Sequence, residues 1–295
     1  LLNGAITEVF EPGSTSKVVT AAAALEEGVV KPRSRFHVAD SIQRGGRTFH
    51  DSHSHGVERL TFAGVMAQSS NVGTILVGEK IKPEKLYRYM KGFGLGTKTG
   101  LGPGESAGIV APPESWNGSQ RYTVLFGQGL AVTAIQSTSV FATIANGGVR
   151  VAPWLIDATI SPDGEVTEAP PAAAERVVSA RTARQLTRML ENVVGDEGTA
   201  IAATIPGYRV AGKTGTAQAP DSRCGCYRGY TASFVGYAPA DKPRLVVSVI
   251  LQRPQKGHYG GVVAAPVFQQ IMTYALAHEQ IPPSGKKAPD LPTTF

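Results

Sequence analysis

The chain has 295 residues, 42% of them hydrophobic and 18% charged, enough for one large domain or two small ones with an ample core. Its formal net charge is +6, yet it has no Lys/Arg run and no interleaving of basic with aromatic residues, so no nucleic-acid partner is expected. No apolar run approaches the ~18 residues of a membrane span; the longest, around 18–25 and 245–251, are core length.

In chain order, the first organised stretch is FEPGSTSKVVT, residues 10–20. Glu11, Pro12 and Gly13 break regular structure, and Ser14 falls where an N-cap or first-turn residue sits. Lys17 follows three residues later, on the same helical face. A hydroxyl and an amine at a helix N-terminus, where developing negative charge is favoured, make a candidate nucleophile and proton acceptor. An N-cap followed by a solvated lysine has the same spacing, so the tetrad needs support from elsewhere. An Ala-rich buried helix is expected over 14–27, and a polar, His-rich loop over 31–56. Helical periodicity covers 57–68, continues after a break over 71–81, and gives a short helix over 83–91. Residues 93–117 are Gly/Pro-rich loop. Thr133 and Gln136 have capping-box spacing at the head of a helix that stops at Gly147-Gly148, and Ser179 caps another that ends at Gly195.

The period then changes. Residues 208–214, 230–237 and 245–251 predict strands, the last two joined into an antiparallel hairpin by the turn from Pro239 to Pro243. Residues 264–278 predict a closing helix, and 281–295, with four prolines, a frayed tail. There is no internal repeat. The order indicates an α+β fold with the closing helix packed on an antiparallel sheet.

Two further motifs bear on chemistry. Ser69-Ser70-Asn71 lies between two helical segments, where polar residues usually cap the next helix. Lys213-Thr214-Gly215-Thr216 ends a strand, where glycine admits a close approach and a lysine with two hydroxyls can bind a carboxylate. The same lysine completes a P-loop pattern from Gly207 through Gly212 to Lys213-Thr214. That pattern needs a helix starting at Lys-Thr, and Gly-Thr-Ala-Gln-Ala-Pro is a poor helix start, so nucleotide binding stays a remote alternative. Lys98-Thr99-Gly100 sits in a Gly-rich loop and is read as loop only. His50, His53 and His55 around Asp51 match no zinc spacing and have no nearby Cys, so a polar loop and no metal are expected. Cys224-Gly225-Cys226 holds either two free thiols or a very short disulfide ring, and both stay open.

Ser-x-x-Lys at Ser14, Ser-x-Asn at Ser69 and Lys-Thr-Gly at Lys213, in that order, resemble the signature of penicillin-binding proteins and serine β-lactamases. The likeness extends to Glu11-Pro12-Gly13-Ser14-Thr15, Gly127-Gln128-Gly129, residues 231–236, Tyr259-Gly260-Gly261 and residues 265–268. These are similar to the class B, monofunctional transpeptidases, closest to the septal, division-type enzymes of actinobacterial kind.

The resemblance implies a penicillin-binding/serine β-lactamase-like transpeptidase fold: an antiparallel sheet with helices on both sides and an all-helical subdomain. It implies a transpeptidase domain over 1–280, N-terminally truncated, followed by a Pro-rich tail over 281–295. Family members carry further sheet strands, a non-catalytic domain and a membrane anchor before the stretch that starts here. The implied activity is peptidoglycan D,D-transpeptidation at the extracytoplasmic face of the cell membrane, through a serine acyl-enzyme that β-lactams also form. Ser14 would be the nucleophile and Lys17 the general base, which needs its pKa lowered by ~3 units, or ~4 kcal/mol. Burial and the charge of Lys213 would both lower it. Ser69 would pass the proton to the leaving amine, and Asn71 would hold Lys17 and the substrate amide. Lys213 would set the electrostatics, Thr214 and Thr216 would hold the substrate carboxylate, and Gly215 would keep the strand open to ligand. The backbone N–H groups of Ser14 and Thr216 would form the oxyanion hole. No cofactor is implied. Implied partners are stem peptides, β-lactams, divisome proteins and a glycosyltransferase. A β-lactamase or D,D-carboxypeptidase, and a non-enzymatic β-lactam sensor domain, are the alternatives. Glu114 is the one loop candidate for activating a deacylating water; its spacing does not fit the lactamase pattern, so slow deacylation is expected.

Overall fold

A three-stranded antiparallel sheet carries the Lys-Thr-Gly motif in the computed structural model, which describes residues 2–221, 223–288 and 290–295. Ala211–Asp221, here the cleft strand, lies at one edge and pairs with the middle strand Cys226–Ala238, which pairs with Leu245–Gln252. The register sets Lys213 opposite Val235, Thr216 opposite Ala232, and Phe234 opposite Val249. Side chains alternate between faces. Phe234 therefore meets Phe268 of the closing helix Ala265–His278, edge to face at 4.6 Å. On the opposite face the Tyr237 hydroxyl lies 2.8 Å from the Thr187 hydroxyl of helix Ala180–Val194. There too Thr138, on helix Ala134–Ala145, donates to Ser248. The sheet thus has helices on both sides, as expected. Each such buried aromatic contributes about 1.5–3 kcal/mol.

Behind the sheet, helix Lys17–Glu26 is buried on nearly every side, with Ala21 to Ala24 at most 1% exposed. A helix apolar all round belongs in a core. Its small side chains let helices Asn71–Gly78, Pro83–Gly92 and Ala180–Val194 pack around it. Both expected caps are present: Thr133 and Gln136 bond reciprocally, and the Ser179 hydroxyl accepts from Thr182 N.

Four local expectations are corrected. Residues 31–56 are not plain loop, because Arg35–Val38 and the hairpin Ser41–Arg44 with Arg47–His50 lie there. Arg35–Val38 pairs with Glu58–Thr61, so the helix expected from 57 begins at Phe62, capped by Thr61. Charged residues at alternate positions had masked the buried Phe36 and Val38. The cleft strand starts at Ala211 rather than 208 and runs to Asp221, which puts Lys-Thr-Gly near its beginning rather than at its end. Gln218 and Pro220, poor strand formers, had hidden the extension. The tail is not frayed. Thr61 N donates to Thr293 O at 2.9 Å, Asn192 Nδ2 donates to Leu291 O at 2.6 Å, and Arg35 and Arg59 flank the Phe295 ring.

Candidate active site

Ser14 stands on the 3-10 turn Gly13–Ser16, which runs directly into helix Lys17–Glu26. Two glycines press together to shape it. Gly13 N donates to Gly127 O at 3.0 Å, and a Cβ on Gly127 would lie 2.1 Å from Gly13 O. The Gly-Gln-Gly segment therefore buttresses the nucleophile turn, and only glycine fits there. The first N–H groups of a helical turn have no intrahelical acceptor, and Gly13's is already used. Ser14 N is the next donor of that turn.

Ser14, Ser69, Asn71, Thr214 and Thr216 line one cleft of about 460 Å³. The structure thus brings the three sequence motifs together. Gln128 and Tyr259, from two segments of the family likeness, also line it, as do Thr199, Tyr230 and His258, which carried no sequence signal of their own.

Lys17 has no exposed surface, and its Nζ donates to Ser69 O at 2.5 Å and to Ser69 Oγ at 3.3 Å. Ser69 adopts φ +61°, a left-handed conformation costly for a residue with a Cβ. That conformation accompanies a main-chain carbonyl bonded to the lysine. The expectation that Asn71 holds Lys17 is corrected: its Nδ2 donates to His50 O at 2.9 Å, and Ser69 does the holding.

Sequence reasoning missed Asp51, setting it aside with the histidines. Its Oδ1 accepts from Asn71 N at 2.5 Å and Val72 N at 3.0 Å, and its Oδ2 from Ser70 Oγ at 2.7 Å. A carboxylate on the free N–H groups of a helix start is favoured by both bonding and dipole. His55 backs it, with Nε2 3.2 Å from Asp51 Oδ2 and Nδ1 2.6 Å from Gly56 O. Burial lowers the imidazole pKa, but the bonds to Gly56 and Asp51 outweigh it and raise the pKa overall. No local spacing announces this contact, because Asp51 and Asn71 are twenty residues apart.

On the other wall Lys213 is also fully buried, and among the described residues its Nζ is hydrogen-bonded only to Thr214 O and Oγ1, both at 3.3 Å. Thr214 Oγ1 lies 2.8 Å from Thr199 Oγ1, and Thr216 Oγ1 accepts from Gly260 N at 3.1 Å. Gly215 does not keep the strand open to ligand. A Cβ there would meet Ser233 Oγ at 2.3 Å and Pro12 O at 3.0 Å, so its bareness lets the cleft strand press on the nucleophile turn.

Burial lowers the Lys17 pKa from 10.5 to about 7, while the Asp51 charge draws it partly back up. Lys213 lies well below its ordinary range, first through burial and then through the charge of Lys17. Burial is thus the first cause of the depression of both lysines, ahead of any charge between them.

Glu11 ties this turn to its surroundings. Its Oε1 accepts from Gly129 N at 3.1 Å and from the Tyr227 hydroxyl at 3.0 Å. Its Oε2 is buried without a partner among the described residues, and burial raises its pKa against those two bonds. Tyr227 follows Cys226, which forms a disulfide with Cys224.

The P-loop reading falls, because Lys213 and Thr214 lie within an extended strand and start no helix. Thr99 and Gly100 only bind the Glu105 carboxylate within their loop. Among the described residues no group of three His, Cys, Asp or Glu side chains is arranged to hold a metal. Glu114 is exposed on a surface turn, and no carboxylate lines the cleft among the described residues.

A hydroxyl and a desolvated amine one turn apart, facing a lysine and two threonines on a sheet edge, are the layout of the penicillin-recognising serine fold. Residues 1–273 match the penicillin binding protein transpeptidase domain, and the chain belongs to that family. It is 44% identical over 300 residues to the penicillin-binding protein PbpB of Mycobacterium tuberculosis, covering 98% of this chain and 44% of that protein. Against the peptidoglycan D,D-transpeptidase FtsI of Escherichia coli K12 it is 37% identical over 288 residues, 96% of this chain and 46% of the other. The chain thus spans a little under half the length of these relatives. Its fold superposes with a TM-score of 0.94 on the crystal structure of penicillin binding protein 3 from M. tuberculosis complexed with ampicillin. That match is at 43% identity and covers 99% of this chain and 67% of that one.

Proposed function

We propose that the chain is the catalytic domain of a septal peptidoglycan D,D-transpeptidase that β-lactams acylate at Ser14. The observation that carries this reading is Lys17, fully buried and held by Ser69, with its pKa brought to about 7 one turn from Ser14. A base is most useful when its pKa sits near the working pH.

In the proposed cycle Ser14 Oγ attacks the carbonyl of the penultimate D-Ala and gives its proton to Lys17. The N–H groups of Ser14 and Thr216 stabilise the tetrahedral oxyanion, each worth about 2.7–4 kcal/mol by analogy with other acyl-transfer sites. The C–N bond breaks, and the proton passes from Lys17 through Ser69 to the departing D-Ala amine. Thr214 and Thr216 hold the terminal carboxylate until then. An amine from a second stem attacks the ester, Ser14 recovers its proton, and a new amide links the two stems. Lys213, bonded to Thr214, sets the electrostatics of the carboxylate site.

The lack of a cleft carboxylate among the described residues favours slow hydrolysis, and so a transpeptidase over a β-lactamase. The names of the relatives support peptidoglycan D,D-transpeptidation; the division role, with divisome proteins and a glycosyltransferase as partners, is part of the proposal. The wall substrate lies outside the membrane, where the Cys224–Cys226 disulfide is also at home. The membrane anchor expected above remains part of the proposal; no helix among the described residues is long and apolar enough to cross a membrane.

The test is intact-protein mass during hours with benzylpenicillin. One persistent adduct on Ser14 supports the reading, and peptide cross-linking then separates an enzyme from a sensor. A transient adduct with rapid lactam turnover identifies a β-lactamase. No adduct on the folded protein refutes acylation.

A further inference from the structure

Beside the cleft lies a second, polar cavity of about 340 Å³, whose walls include Arg47, Asn117, Gln128, Gln218 and Tyr227. Gln128 borders both cavities, so they adjoin across it. We infer that this annex is a subsite for the donor stem peptide upstream of its D-Ala-D-Ala end, and that it selects a stem carrying a free carboxylate there. The inference rests on the transpeptidase reading above.

Direction comes from the cleft strand. Thr214, Thr216 and Gln218 share one face of it at a period of two, the first two in the cleft and the third in the annex. The strand is at a sheet edge, so its outward N–H and C=O groups can pair with an extended peptide. A peptide whose terminal carboxylate sits at Thr214 and Thr216, with its scissile carbonyl at Ser14, runs antiparallel to the strand. Its upstream residues reach Gln218 about 7 Å farther along.

Chemistry comes from the groups left free. Asn117 Oδ1 is already bonded by Ser119 and Gln120, and the Tyr227 hydroxyl by Glu11. The side-chain amides of Gln128 and Gln218 carry no hydrogen bond among the described residues. The Arg47 guanidinium forms no ion pair among them and leans only on the Phe49 ring. Two free amides suit a peptide backbone, and a free guanidinium suits a carboxylate. Glu11 does not line the annex, and burial raises its pKa, which disfavours the charge that would compete for Arg47. A cationic side chain would sit against Arg47.

The test uses two peptide thioester donors, identical except that the residue upstream of the D-Ala thioester bears a free carboxylate or a primary amide. Acylation of Ser14 is followed by mass without acceptor. The wild type should acylate with the acid donor faster by roughly tenfold or more, the scale of one charge-assisted hydrogen bond. Arg47→Gln should bring the ratio close to one, and Arg47→Glu should invert it, with penicilloyl labelling showing that each variant is folded. Equal rates for the two donors in a wild type that takes penicillin would overturn the subsite alone. If Arg47→Gln alters only transfer to an acceptor amine, the donor assignment is wrong and the annex serves the other strand. A wild type acylated by neither donor nor penicillin removes the transpeptidase reading, and the inference with it.

Discussion

The two walls of the cleft are built differently. The sheet wall holds Thr214 and Thr216 by strand period and ladder register, and its lysine is dry and nearly without partners. The helical wall holds Ser69 and Asn71 by a polar network, with one residue in a left-handed conformation and one carboxylate at the hub. Damage to the packing of the sheet wall, as at Gly215, should therefore appear chiefly as lost stability, and damage to the polar network of the helical wall chiefly as lost chemistry.

The largest effect lies where the walls meet. Ser14→Ala should form no covalent adduct with any β-lactam, and a stable adduct in that variant, seen by mass, would break the whole assignment. Lys17→Met should come next, slowing acylation by about 10²–10⁴-fold while the protein stays folded. For the helical wall, Asp51→Ala strips two N–H groups and a hydroxyl of their acceptor. We expect acylation to fall by about 10- to 100-fold, measured as adduct formation against time. Asp51→Asn retains acceptor capacity but removes the charge that raises the Lys17 pKa, so the acid limb of its rate profile should move to lower pH. For the sheet wall, Gly215→Ala places a methyl 2.3 Å from Ser233 Oγ and should cost about 1–3 kcal/mol of stability in a denaturant titration. If Gly215→Ala instead leaves stability intact and Asp51→Ala unfolds the protein, the contrast between the walls is wrong. The smallest effect should be Tyr227→Phe, which loses one bond to Glu11, worth about 1 kcal/mol in the same titration.

Much of this was legible in the sequence because it is local. Ser14 and Lys17 are one turn apart, Thr133 and Gln136 cap their own helix, and the three motifs stand in a recognisable order. What was hidden depends on distance along the chain. Asp51 reaches Asn71 and the tail reaches Thr61 only after folding, and neither contact has a spacing rule. Roles within a motif were hidden too. The sequence shows that Gly215 is bare, but only packing shows that Pro12 and Ser233 fill the space. It shows two lysines, but only the structure shows that both are fully buried and which groups each one faces.

The central claim is that Lys17, neutral at working pH, takes the proton of Ser14. The direct measurement is the rate of penicilloyl adduct formation on Ser14 from pH 5 to 9. The folded-state pKa is lowered to about 7, so the amine is neutral above that pH and protonated below it. The rate should therefore be flat above the midpoint and fall about tenfold per pH unit below it. A rate still climbing at pH 9 would mean that Lys17 keeps its ordinary charge, and a flat profile down to pH 5 would mean that it is not the base.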